Sequence, residues 1–364
     1  MALSCGLVGL PNAGKSSLFN AITSGAASVA PYPFTTVDPN VGTVPVPDSR
    51  LDRLAAIVKP RTVVPAALEV VDVAGLVKGA SKGEGLGNRF LGHIREVDAV
   101  VHVVRCHTDG NVPHSEATIS PARDAAIVNL ELVLADLETI ERRRERIGKA
   151  ARYGEKKEAA EDALLARVEE ALKRGIPARI AGLSEDDIPV VAALFLITLK
   201  PVIYVGNVPE GTTESDPDPR YRELVEVARR EGAAVMPVSA KIEAEIAELD
   251  TADRQAFLQD LGMEVPGSLR VIKKAYEALD LITFYTFNEK EARAWAIRRG
   301  TRAPRAAGKI HTDMEKGFVK AEVLPLAGLE RSGSFAAARD RGLLRIEGRD
   351  YEVQDGDVIF FRFA

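Results

Sequence analysis

The residues most clearly equipped for chemistry are Gly9-Leu10-Pro11-Asn12-Ala13-Gly14-Lys15-Ser16-Ser17. They meet the phosphate-loop pattern G-x-x-x-x-G-K-S at every defined position. Gly9 and Gly14 let the backbone curl. The amides of Asn12, Ala13, Gly14, Lys15, Ser16 and Ser17 then point inward, and the positive end of a following helix joins them in a cradle for polyphosphate. Lys15 would reach the outer phosphates, a binding and a catalytic role at once, and Ser16 would set its hydroxyl on Mg²⁺.

Further along are residues that would complete such a site. Pro33-Phe34-Thr35-Thr36 lies in a stretch, Gly25 to Val41, with few helix formers and three prolines. A threonine pair in a loop is ordinarily only polar, but downstream of a phosphate loop Thr36 fits a switch residue that joins the metal when the γ-phosphate is present. Asp72-Val73-Ala74-Gly75 gives D-x-x-G, in which Asp72 would hold the metal through a water and the Gly75 amide would sense the γ-phosphate. The next residue, Leu76, stands where signalling GTPases carry a water-orienting glutamine, and leucine cannot do that work. At Asn207-Val208-Pro209-Glu210 the guanine-reading N-K-x-D pattern is altered: Val208 replaces the lysine that covers the base, and Glu210 replaces the aspartate. Without that carboxylate strong discrimination for guanine is lost, and the Asn207 amide can serve adenine. Ser239-Ala240-Lys241 matches the S-A-K element behind the base.

These residues need a parallel sheet to position them. Leu3 to Val8, Ala67 to Asp72, Ala99 to Val104, Pro201 to Asn207 and Val235 to Val238 read as strands, with helical patterns between them, the signature of an α/β fold with crossover helices. From Val128 the pattern becomes two long charged helices that turn near Tyr153-Gly154, an α-hairpin or coiled-coil arm over 128–190 inserted into a nucleotide-binding domain of 1–280. Leu194 to Leu199 reads as the end of a helix, and 242–280 reads as helical. Residues 281–364 read as a separate α+β module: a strand from Ile282 to Phe287, a helix from Glu289 to Ile297, then Arg298, Arg299, Arg302, Arg305 and Lys309 around a Pro/Gly loop, and a terminal meander.

The composition agrees with a globular chain: 364 residues, 46% hydrophobic and 28% charged. No apolar run is long enough to span a bilayer. Met1 to Val8 leads straight into the phosphate loop, leaving no room for a secretory leader. The two cysteines, Cys5 and Cys106, sit in or beside apolar runs, as expected of buried thiols in a reducing cytoplasm. The net charge of −5 does not announce a nucleic-acid binder. The acid is concentrated in the nucleotide-binding part, however, while the arm and the C-terminal module are neutral to mildly basic. RNA backbone contact through the basic cluster is one reading of it, and a solvated loop is the other.

Taken together, Gly9 to Ser17, Pro33 to Asn40, Asp72 to Asn88, Asn207 to Glu210 and Ala307-Gly308-Lys309-Ile310-His311-Thr312-Asp313 resemble the YchF, or Obg-like, ATPases over the full length of the chain. The resemblance implies an Obg-type P-loop domain, a coiled coil and a C-terminal β-grasp (TGS) domain. It implies ATP preferred to GTP, matching Asn207 and Glu210, and a hydrophobic residue for the missing glutamine, matching Leu76. It also implies a hydrolytic histidine in the loop after the fourth core strand, where His114 stands; by itself a lone loop histidine is ordinarily a solvated residue. Ribosomes are the implied partner, met through the arm and the TGS domain at the large subunit and its rRNA, in translation-linked stress responses. Many relatives carry Cys before the switch threonine, where this chain has Thr35, so redox control there is not expected. The reading is therefore a cytoplasmic, monomeric, Mg²⁺-dependent ATPase switch, with a K⁺ ion near Asn12 standing in for an arginine finger. Two other readings stay open: a GTPase in which Glu210 still reads guanine, and an RNA or ribosome adaptor whose nucleotide is structural and not turned over.

Overall fold

The computed structural model describes residues 3–27, 40–73, 86–109, 112–114, 116, 118–152 and 156–364. The first half of the chain runs β1 (Ser4–Val8), α1 (Lys15–Ala27), β2 (Val41–Pro45), α2 (Ser49–Val58), β3 (Thr62–Val64), β4 (Ala67–Asp72), α3 (Leu86–Glu96), β5 (Ala99–Arg105), α4 (Pro121–Arg152) and α5 (Lys156–Lys173). It continues through α6 (Asp187–Ala192), β6 (Val202–Asn207), α7 (Pro219–Glu231), β7 (Ala234–Val238), α8 (Ala240–Glu248), α9 (Thr251–Asp260) and α10 (Gly267–Ala278).

Six strands form the first sheet in the order β2-β4-β1-β5-β6-β7, with β2 antiparallel to β4 and the remaining pairs parallel. Helices cover both faces, so the central strands can be continuously apolar; all seven positions of β5 are buried. On one face Leu7, Leu18 and Ile22 share a core with Val271 and Ile272 of α10. On the other, Val8, Leu91 and Ile94 pack with Val128, Leu132 and Leu224. β1 lies where the strand order reverses, the position at which α/β sheets bind ligands beyond their carboxyl ends.

α4 begins at Pro121, ahead of Val128, and its first turns belong to the core, with Ala125 and Val128 fully buried. Beyond them it pairs with α5 through Ile140, Ile147, Leu165 and Val168. Arg143 meets Glu161 at 2.7 Å, and Arg144 meets both Asp162 and Glu169. At 1.5 Å per residue α4 is about 48 Å long. The expected helix end at Leu194 to Leu199 is instead a short 3₁₀ turn at Ile197–Leu199. The buried carboxylate of Asp136 on α4 accepts from the Ile197 and Thr198 amides at 2.9 and 2.7 Å, and that local satisfaction fixes a turn in place of a further helical one. Residues 242–280, expected to be helical, hold three helices separated by the caps of α9 and α10: Asp250 accepts from Ala252 and Asp253, and the buried Glu243 accepts from Gly267 and Ser268.

The C-terminal region contributes β8 (Leu281–Phe287), β9 (Glu291–Arg298), α11 (Ala303–Ile310), α12 (Thr312–Lys316), β10 (Phe318–Pro325), α13 (Leu326–Ser332), α14 (Phe335–Asp340), β11 (Arg345–Glu347) and β12 (Asp357–Phe363). The helix expected over Glu289 to Ile297 is strand β9. Its alanines favour a helix in isolation, but Ala292, Ala294 and Ala296 alternate into one core while Glu291, Arg293 and Trp295 take the opposite face, where Trp295 stacks on Phe284, and pairing with β8 decides the outcome. The expected Pro/Gly loop is helix α11, with Pro304 tolerated in its first turn. Ala303, Ala306 and Ala307 seat α11 on Ile282, Phe284 and Ile297. β12 runs parallel to β8, so a hairpin, a helix across it and a parallel return strand give the β-grasp pattern.

This second sheet has the order β11-β10-β12-β8-β9-β3. Its edge strand β3 comes from the first half of the chain and pairs Thr62 to Val64 with Glu291 to Arg293. α2 strengthens the junction. Tyr285 donates to Asp48 at 2.6 Å, and Arg50 meets Asp355 at 2.7 Å. Among the described residues no helix is long and apolar enough to cross a membrane.

Candidate functional site

The turn between β1 and α1 is held by two glycines that no other residue could replace without rearrangement. Gly9 (φ 153°) approaches β5 so closely that a Cβ would lie 2.3 Å from the Val103 carbonyl oxygen. At Gly14 (φ 99°) a Cβ would lie 2.4 Å from Asn207 Nδ2. Asn12 adopts a left-handed φ of 61°, which asparagine tolerates. Ala13 N donates to Leu10 O at 3.3 Å, and Leu18 N to Gly14 O at 3.0 Å starts the α1 ladder. Ser16 and Ser17 are exposed at the helix start.

Lys15 is buried, and its ammonium donates to the carbonyls of Gly9 (3.1 Å) and Leu10 (2.8 Å). Burial pushes the ammonium down to about 8, opposed by the negative charge of Asp72. Its partners are neutral carbonyls, which a phosphate oxygen can outbid because a charge-assisted bond between ions is the stronger one. Ser16 Oγ donates to Asp72 Oδ2 at 2.8 Å. Asp72 Oδ1 is buried and has no hydrogen-bond partner among the described residues. A hydroxyl oxygen beside an unspent carboxylate oxygen is the hard-oxygen chemistry that Mg²⁺ takes. No three His, Cys, Asp or Glu side chains among the described residues could hold a metal by themselves, which suits an ion that completes its shell with phosphate and water. Thr36, Gly75, Thr35 and Leu76 lie outside the described residues.

A cleft of about 880 Å³ extends from Asn12, Gly14 and Ser17 to Asn207, Glu210 and Ser239, so it runs from the phosphate end to the base end. At the base end Asn207 has a structural task that the sequence did not announce. Its amide makes two internal bonds: Nδ2 donates to Ala13 O at 3.1 Å, and Oδ1 accepts from Ala240 N at 3.1 Å. The side chain is a buried strut joining the phosphate loop to the start of α8, and it also borders the cleft. Val208 is 3% exposed and shares the core with Cys106 and Tyr221, although it also borders the cleft. Glu210 is exposed at the rim, and Ser239 precedes α8 without capping it through its side chain.

His114 does not line this cleft. Its ring is turned behind the phosphate loop, where Nε2 lies 2.9 Å from Asp124 Oδ2 and Nδ1 accepts from Glu116 N at 3.0 Å. The segment before it is tied down at two points: Asn12 Nδ2 donates to Pro113 O at 3.1 Å, and Arg105 donates to Val112 O at 3.1 Å. Arg105 also reaches the carbonyls of His107 and Asp109, which makes it the organiser of the loop after β5. Sequence reasoning overlooked it. The signal was present: a charged residue that closes an apolar strand yet stays 3% exposed must be satisfied by nearby backbone. Asp124 was overlooked because a carboxylate in a first helical turn is commonplace.

Cys5 and Cys106 are free and buried, and burial pushes the Cys5 thiol up to about 12. The basic cluster is largely compensated. Arg298 faces Asp98, Arg299 faces Asp280, Arg302 faces Asp350 and Arg305 faces Glu315.

Comparison with known proteins covers the whole chain. Residues 4–135 match a family described as 50S ribosome-binding GTPase, and residues 281–364 match the C-terminal domain of the YchF GTPases, described as of unknown function. A Bacillus subtilis protein named ribosome-binding ATPase YchF is 48% identical over 100% of both chains. An Escherichia coli O157:H7 protein of the same name is 48% identical over 100% of this chain and 99% of its own. The solved structure of the Schizosaccharomyces pombe YchF GTPase is 35% identical, covers 99% of this chain and 97% of its own, and superposes with a TM-score of 0.88. Sequence identity at this level over both the phosphate-loop domain and the β-grasp module makes the chain a member of the YchF family of P-loop nucleotide hydrolases.

Proposed function

We propose that the chain is a Mg²⁺-dependent ATPase that binds ribosomes and works as a nucleotide-dependent switch in the cytoplasm, as a monomer. The observation that carries this reading is the group formed by Lys15, Ser16 and Asp72, with a buried ammonium on replaceable carbonyl partners and a carboxylate oxygen left unspent. Lys15 and the amides from Asn12 to Ser17 hold the phosphates. Ser16 and Thr36 hold Mg²⁺, with Asp72 behind a water, and the ion neutralises charge on the phosphate oxygens. Gly75 senses the γ-phosphate. His114 leaves its resting place to position water or stabilise charge where Leu76 cannot. Asn12 helps to hold a K⁺ ion in place of an arginine finger.

Glu210 at the rim, one methylene longer than the aspartate of N-K-x-D, favours ATP. The bacterial relatives, named as ATPases, agree with that preference, while the S. pombe relative, named as a GTPase, keeps guanine as the second reading. Competition of ATP and GTP for one labelled nucleotide in Mg²⁺ buffer separates the two, and turnover measured in K⁺ and again in Na⁺ tests the monovalent ion. ATP displacing the label at the lower concentration supports the ATPase. GTP winning makes Glu210 a guanine reader, and indifference of turnover to K⁺ removes that ion.

The arm and the C-terminal module are the surfaces we assign to the large ribosomal subunit and its rRNA. Exposed ion pairs such as those of Arg299 and Arg302 are worth at most about 1 kcal/mol, so phosphate can displace the carboxylates. Co-sedimentation with large subunits should then weaken steeply with salt; a flat response would remove the electrostatic part of this assignment.

A further inference from the structure

We propose that Asp124, in the first turn of the arm's longer helix, is a positioning residue that withholds His114 from the nucleotide cleft until the arm is engaged. The proposal rests on the reading of His114 as the hydrolytic group.

The ring of His114 is 10% exposed and the carboxylate of Asp124 is 3% exposed. Nδ1 accepts from the Glu116 amide. Nε2 lies 2.9 Å from Asp124 Oδ2, and on the other side of the ring Nδ1 also lies 3.1 Å from the Glu116 carbonyl oxygen. The first of these is a close contact between an imidazole nitrogen and a carboxylate inside the protein. His114 and Asp124 border a cavity of about 10 Å³ together with Leu10, Pro11 and His102. That space is water-sized and lies behind the phosphate loop. The ring borders this space and is not among the residues lining the cleft where ATP would lie. His102 offers the carboxylate no competing cation, since burial pushes its imidazole down to about 3.

The contact is also built to release. A buried carboxylate left with no partner would oppose the swing of the ring. Asp124 keeps a second partner: Oδ1 accepts from Arg123 Nε at 3.2 Å and from Nη2 at 2.9 Å. Losing His114 therefore does not strand the charge. The backbone ties from Asn12 to Pro113 and from Arg105 to Val112 leave the segment anchored next to the phosphate loop, so the ring has a short way to travel.

The carboxylate is mounted on the element that reaches outward. α4 runs without a break from Asp124 to the ion pairs of Arg143 and Arg144 with α5. On its way it takes Arg95 of α3 on Ala135 O (3.2 Å) and Thr139 Oγ1 (2.9 Å), and Asp136 holds the turn at 197–198. α3 is the helix that follows the D-x-x-G segment. One rigid helix thus touches the resting histidine, the helix after the second switch, and the arm. A load on the arm that tilts or slides α4 acts on Asp124 directly, and a displacement of about an ångström would break a close polar contact of 2.9 Å.

The test is ATP turnover by the full chain, with and without 70S ribosomes. Asp124→Asn keeps shape and removes the charge that holds the ring. The expected result is a ribosome-free kcat about tenfold higher, an unchanged KM for ATP, and a correspondingly smaller stimulation by ribosomes. In a His114→Ala background the same substitution should do nothing to kcat. A kcat that falls or stays level in Asp124→Asn overturns the proposal, as does a rise that persists without His114, or a parent enzyme that ribosomes do not stimulate. If His114→Ala turns over like the parent, the hydrolytic reading of His114 is what has failed. If it is slow and Asp124→Asn is silent, only the withholding role has failed. Should Asp124→Asn fold poorly, NMR of the His114 ring in the parent decides: a ring held in one orientation is expected, and a freely averaging ring would sink the idea.

Discussion

The two ends of the nucleotide cleft are built on opposite principles. At the phosphate end the polar groups are provisional. Lys15 rests on carbonyls it can leave, and Asp72 keeps an oxygen unpartnered among the described residues. At the base end the side chain most expected to recognise a ligand, Asn207, is tied to the protein itself, with Ala13 on one side and Ala240 on the other. One end is poised to exchange partners and the other is fastened. The difference teaches that a motif residue can serve a nucleotide site by holding its walls together as well as by facing the ligand.

The comparison can be broken most directly at Lys15. Lys15→Ala removes the buried cation from the phosphate end and should lower kcat/KM for ATP by about 100-fold or more, since bonds to charged groups are the strong ones. Steady-state kinetics measure it, and a loss below a few-fold would mean that Lys15 is not poised for phosphate. The second effect is at the fastened end. Asn207→Ala leaves Ala13 O and Ala240 N buried and unpaired, which should cost about 2–3 kcal/mol of unfolding free energy. Urea denaturation reads this, and ATP and GTP affinities should fall together. A change in the ATP to GTP ratio would instead make Asn207 a base reader after all. The smallest effect is on pH. Lys15 stands at about 8 against an ordinary 10.5. Phosphate binds the ammonium, so ATP binding above about pH 8 must take up a proton, and affinity falls as pH rises through that value. It is flat below, and the loss approaches about tenfold per unit above. Lys15→Arg should abolish the slope, and an affinity independent of pH up to about 9.5 would show that the lysine stays charged without its ligand.

Legibility in the sequence followed the same division. Gly9, Gly14, Lys15, Ser16 and Asp72 were readable because their roles are fixed by local backbone and by order along the chain. The parallel sheet was readable because its strands are buried on both faces. The strut role of Asn207 was not readable because its partners lie about 30 and about 190 residues away, and only tertiary approach brings them to its amide. β9 was misread for a related reason: alanines at every second position suit either period, and the choice is made by β8. Arg105 and Asp124 are ordinary residues by type, and their importance is in what the fold brings to them.

The pairing of β3 with β9 has a consequence for how the molecule is made. Thr62 to Val64 must wait for Glu291 to Arg293, which are synthesised about 230 residues later, an interval of roughly 10–50 s at ordinary elongation rates. Through that interval the strand edge and the apolar side of α2, with Leu51 and Leu54, have no permanent cover. A nascent chain of this protein therefore spends most of its synthesis carrying a sticky, half-built seam, and the last module to emerge is the one that closes it.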